Sequence, residues 1–146
     1  MKDVHIAVGV LAIGLNGVAG LYGAFRWYRG EPSVWFWRLA RAGQAVIVLE
    51  AALGGVLELI GPKSPGLHVL YGLLPVAVSF LGEQLRVASA QMVLDARGFA
   101  SAAEVGKLPE DEQRGVVAAI VQRELGVITL AALVIVVLLI RAAGTA

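Results

Sequence analysis

Residues 43–68 read GQAVIVLEAALGGVLELIGPKSPGLH. The run up to Ile60 is apolar except for Gln44 and two carboxylates, Glu50 and Glu58, which lie on either side of the Gly54-Gly55 pair. Gly61-Pro62-Lys63-Ser64-Pro65-Gly66 follows, a segment of helix-breaking residues that specifies a tight turn. His68 then stands at the mouth of the next apolar run. With the residues before it, the segment is long enough for a membrane helix, for which about 20 apolar residues are needed. A carboxylate inside such a helix is expensive to keep, so it marks a functional position by default. A span, a short return and a second span form an antiparallel helix pair, and the remaining sequence is organised around that pair.

Composition agrees. The 146 residues are 58% hydrophobic and 16% charged, with mean hydropathy +0.79. A soluble domain is nearer half apolar and a quarter charged, so the solvent for most of this chain is the bilayer. The chain has no cysteine. That excludes disulfides, thiolate metal sites, iron–sulfur clusters and covalent c-type haem attachment, and it leaves noncovalent haem open. A net charge of +1 gives no reason to expect a nucleic-acid partner. The first apolar run is too long for the core of a signal peptide and lacks a strongly basic start, so it is read as a retained span.

The expected architecture is an all-α, integral membrane four-helix bundle forming a single domain over residues 1–146. The spans fall at about 4–28, 39–60, 67–91 and 116–141, with a polar cytoplasmic segment at about 95–112. In the first span His5, Gly9, Ala12, Asn16, Gly20 and Gly23 share one helical face. Such a small-residue face lets a neighbouring backbone or a flat cofactor approach closely. Residues 26–38, rich in Arg and Trp, read as an interfacial loop whose rings and guanidinium groups anchor at the water boundary. In the second span Gly43, Ile47, Glu50, Gly54 and Glu58 share a face. Glu50 fits a proton relay, a metal site or a neutral carboxyl joining two helices, and Glu58 lies close enough to the boundary to be solvated there.

The third span begins at Leu67 and carries Pro75, which is expected to kink it. It also carries Glu83 and Arg86, three apart and suited to an ion pair; the helix is expected to run on to about Ala96. Ser101 to Glu104 fits a capping box, and Leu108-Pro109-Glu110-Asp111-Glu112 a helix start. The last span, with its apolar core from Leu125 to Ile140, has no acidic residue inside and reads as a lipid-facing or packing helix.

Basic residues orient the bundle. Arg26, Arg29, Arg38 and Arg41 flank the first loop, and Arg86, Arg97, Lys107, Arg114 and Arg123 surround the third, while Lys2, Lys63 and Arg141 lie at the other end. By the positive-inside rule both termini are outside. His5 and His68, the only histidines, then emerge at one outer level, beside Glu58. Imidazole is a good ligand for haem iron, and cofactor sites are built between facing helices of bundles. Gly9 below His5, and Tyr71 and Gly72 below His68, are placed to line a porphyrin slot; Lys63 is the basic candidate for its propionates. The same facts allow a zinc or copper site of His5, His68 and Glu58, with only three ligands.

The segment Leu49-Glu50-Ala51-Ala52-Leu53-Gly54-Gly55-Val56-Leu57, the short turn and Leu67-His68 together resemble the haem A synthase family. That family has a Gln-x-x-Leu-Gly-Gly-like helix followed by a short loop and a Leu-His. His5, followed by a Gly- and Leu-rich helix ending in Arg26 and Trp27, matches the position of the family's preceding histidine. The resemblance covers about residues 4–84. It implies one half of a fold made of two similar four-helix halves, each able to hold haem between two outer histidines, with His5 and His68 as axial ligands. Glu50 stands where the family favours glutamine. The family's histidine–arginine pair is His5-Ile6 here, its catalytic glutamate is Lys2, and its outer cysteine pair is missing. These departures argue against oxidation of a haem methyl group and for a stand-alone haem-holding bundle.

The sequence-based expectation is a haem-binding, multi-pass protein of the cell membrane, b-type cytochrome-like, holding haem b for electron transfer or haem handling. It is not a complete enzyme alone, and it works as a homodimer or within a larger membrane complex. Two other readings stand beside it. One is a non-redox accessory or assembly subunit. The other is a small transporter with Asn16, Glu50 and Glu83 along a polar path.

Overall fold

In the computed structural model, which describes residues 1–146, the chain is helical with short connections. Its elements are α1 (Lys2–Arg29), α2 (Val34–Ile60), α3 (Gly66–Ala96), the single turn α4 (Ala102–Val105) and α5 (Glu110–Ala143). The four long helices are each long and apolar enough to cross a membrane. Each of the four expected spans falls inside one of these helices, which overruns it. The interfacial loop is much shorter than expected: Arg26 to Arg29 are helical, α2 is under way at Val34, and only residues 30–33 connect them. Trp and Arg suit the water boundary, but a helix end satisfies that preference as well as a loop does.

Glycine closes two helices where the backbone must turn left-handed. Gly30 (φ 67°) ends α1 and Gly98 (φ 78°) follows α3. In each, the glycine N–H and the next N–H return to the last-turn carbonyls: Gly30 to Trp27 and Glu31 to Arg26, Gly98 to Asp95 and Phe99 to Leu94. This is the Schellman arrangement, which satisfies carbonyls that have no intrahelical donor. Arg26 then clamps the first turn, donating from Nε to the Glu31 carbonyl at 2.8 Å. The expected capping box does not form. Ser101 is the N-cap of α4 without a side-chain bond, while Glu104 accepts the Ala100 N–H at 2.8 Å. Pro109 precedes α5, and Glu110, Asp111 and Glu112 occupy its first turn, where acidic groups complement the helix dipole.

The helices form an antiparallel bundle in which α5 packs on α1 and α3, and α1 packs on α2; the α2–α3 seam is sparser and α2 lies diagonally from α5. The last helix is therefore the most packed of the four, although Leu130, Val134, Val137 and Ile140 keep an exposed apolar face. Over their most apolar stretches 44% of α5 is buried, against 11% of α2 and of α3. Ala12, Ile47, Ile135 and Leu139 make one buried layer, and Phe36, Ala40, Leu125 and Ile128 make another. Leu94, Val105 and Val116 form a third cluster, where α4 closes over the ends of α3 and α5.

Candidate functional site

α1 and α2 meet in a constant antiparallel register that seats polar side chains over glycines. A Cβ at Gly43 would lie 2.9 Å from Asn16 Oδ1, at Gly9 2.8 Å from Glu50 Oε1, and at Gly54 3.2 Å from His5 Cε1. The small-residue faces read from the sequence therefore make hollows for polar groups as well as close backbone contacts. At the end of this interface His5 Nδ1 and Glu50 Oε1 are 3.1 Å apart, with 19% and 13% of the side chains exposed. The contact is a close polar pair without the alignment of a hydrogen bond, and Glu50 Oε2 has no partner.

His68, in the first turn of α3, reaches the same layer from across the bundle. Its Nδ1 lies 2.9 Å from the Ala142 carbonyl in the last turn of α5. Terminal carbonyls of a helix have no intrahelical donor, so this one takes its donors from outside the ladder. Since a carbonyl only accepts, Nδ1 carries the proton, and Nε2 of the neutral ring keeps its lone pair. The two imidazole centroids are 6.1 Å apart with the rings at 77°.

These observations bear on whether a metal-centred cofactor suits the site. A ligating histidine normally has its second nitrogen held by a carboxylate or a carbonyl, which fixes ring orientation. His68 Nδ1 has such a partner in the Ala142 carbonyl, whereas His5 Nδ1 lies beside Glu50 without a hydrogen bond. The donor set is small, however, since no group of three or more His, Asp or Glu side chains is gathered for a metal. A bare zinc or copper ion thus lacks the third and fourth ligands it needs. Haem brings its own equatorial nitrogens and asks for only two axial ones, a number that two imidazoles can supply.

The other anticipated residues divide. Gly9 belongs to the layer through Glu50. Tyr71 lies beneath the Arg141 guanidinium, 5.6 Å from ring centre to Cζ, and Gly72 faces open space. Glu58 ties down the turn: Oε2 accepts the Ser64 N–H at 3.0 Å, and Lys63 donates to the Glu58 carbonyl at 2.8 Å. Both Lys63 and Glu58 are thereby engaged with each other, and Glu58 is no third ligand. Sequence reasoning missed Arg141 and the Ala142 carbonyl because nothing in the sequence says where the last helix ends relative to the turn at Lys63.

The polar path imagined for transport is interrupted. The apolar layer of Ala12, Ile47, Ile135 and Leu139 separates Glu50 from Asn16, whose amide donates to the Ala12 carbonyl at 2.8 Å. Glu83 does pair with Arg86, at 3.0 Å, as the spacing implied. It also accepts from Arg41 at 2.6 Å and from Gln44 at 2.9 Å, while Arg86 continues to Glu124 at 3.1 Å. This network joins α2, α3 and α5 toward the end opposite the histidines, and its cross-helix partners could not be seen from spacing within one helix.

Comparison with protein-family models, with curated proteins and with solved structures finds no match to this chain. None of these comparisons links the chain to the haem A synthase family.

Proposed function

We propose that the protein is a haem-binding membrane protein of b-type cytochrome character, with His5 and His68 as the axial pair. It would sit in the cell membrane with both termini outside. The observation that carries this reading is the pair of imidazoles 6.1 Å apart, each with Nδ1 beside an acceptor and Nε2 left for a ligand. His68 is oriented by the end of α5. His5 is positioned by the Gly54 hollow and the Glu50 carboxylate, and Gly9 gives Glu50 room. Bound between the imidazoles, haem supplies a one-electron couple whose potential is set by the axial ligands and their surroundings. The apolar layer beneath excludes water from the far side of the site.

The test is haem content after expression with haem available, measured on wild type and on His68→Ala and His5→Ala variants of equal helicity. The expected result is stoichiometric haem in the wild type and a loss of most of it in each variant. Full haem retention in His68→Ala would remove the assigned ligation.

A further inference from the structure

Arg141 stands at the histidine end of the bundle and, like Lys2 there and Arg38, Arg97, Lys107 and Arg123 elsewhere, forms no ion pair. Arg26, Arg29, Arg41, Arg86 and Arg114 each lie within 3.3 Å of a carboxylate oxygen, and Lys63 is held by Glu58. Arg141 meets no acid. Its guanidinium stacks over Tyr71, which stands one turn after His68 on α3. The next residue, Ala142, supplies the carbonyl that takes the His68 Nδ1–H. A stacked guanidinium keeps its planar fork of donors free at the edge, a geometry suited to a carboxylate.

We propose that Arg141 is the anion clamp of this site, taking a carboxylate of the tetrapyrrole held by His5 and His68, with Tyr71 holding the guanidinium plane. The inference rests on the haem reading and adds a specificity to it: the site selects a cofactor bearing free carboxylates. A basic residue in the last turn of a helix also suits the helix dipole and the membrane boundary. Neither of those roles distinguishes an acid ligand from its ester.

The experiment titrates detergent-solubilised apo-protein with haemin and with haemin dimethyl ester, following the Soret band, for wild type, Arg141→Gln and Arg141→Lys. The wild type is expected to bind the diacid about tenfold more tightly than the diester. Arg141→Gln should abolish that preference by weakening the diacid alone, and Arg141→Lys should restore part of it. Equal wild-type affinity for the two ligands, or a preference that survives in Arg141→Gln, would overturn the clamp and leave the haem reading standing. Failure of both ligands to bind would overturn the haem reading and the clamp with it.

Discussion

A carboxylate inside a membrane helix must be matched by a donor or given room, and Glu50 has the room of the Gly9 hollow, with the His5 ring as a close polar neighbour that is not hydrogen-bonded to it. On the haem reading its value lies in positioning more than in stability. Replacing a buried polar pair member by an apolar side chain of similar size removes a desolvation cost along with the attraction. Removing the neighbour that orients a ligating histidine typically weakens metal affinity about 10- to 100-fold. Glu50→Leu is therefore expected to unfold within about 1 kcal/mol of wild type while binding haem more weakly by that factor, measured by paired thermal melts and haem titrations. The sequence marked His5, Glu50 and Gly54 separately. Their meeting depends on the register between two helices, which no single-helix periodicity encodes.

Among the elements, α1 was the most legible. The face of Ala12, Asn16, Gly20 and Gly23 is the face that is buried, because small residues are what let membrane helices approach. α5 was the least legible. It is apolar all round, and a bilayer offers no contrast between a lipid-facing leucine and a packed one. The hollows differ in how much they tolerate. A Cβ at Gly23 would run into Phe36 and Thr129, both almost fully buried and unable to withdraw. Gly14 has nothing within 4 Å. Gly23→Ala is expected to cost about 1–3 kcal/mol by overpacking. Gly14→Ala should stay within about 0.5 kcal/mol or stabilise slightly through helix propensity. Unfolding both variants in the same detergent separates them, and equal losses would contradict the packing described for α1.

At the scale of the molecule, four antiparallel helices place both termini at one end, and the proposed orientation, with that end outside, rests on the distribution of Arg and Lys. The absence of cysteine makes this directly measurable. Single cysteines at Asp3 and Thr145 are expected to react with a membrane-impermeant maleimide on intact cells, and one at Ser101 only after lysis. The reverse pattern would invert the bundle and turn the histidine layer to the inside. The bundle is braced at opposite ends by different chemistry: charge pairing through Glu83, Arg41, Arg86 and Glu124 at one, and the layer of His5, Glu50 and His68 at the other. The second leaves His5 Nδ1 and a buried Glu50 carboxylate oxygen without hydrogen-bond partners. The measurement that decides what that layer is for is an absorption spectrum of the protein purified in mild detergent, recorded oxidised and then after dithionite. A strong Soret band with sharp α and β bands on reduction is the result expected of haem between His5 and His68. A protein that is colourless, and remains so after haem is supplied, would contradict the account.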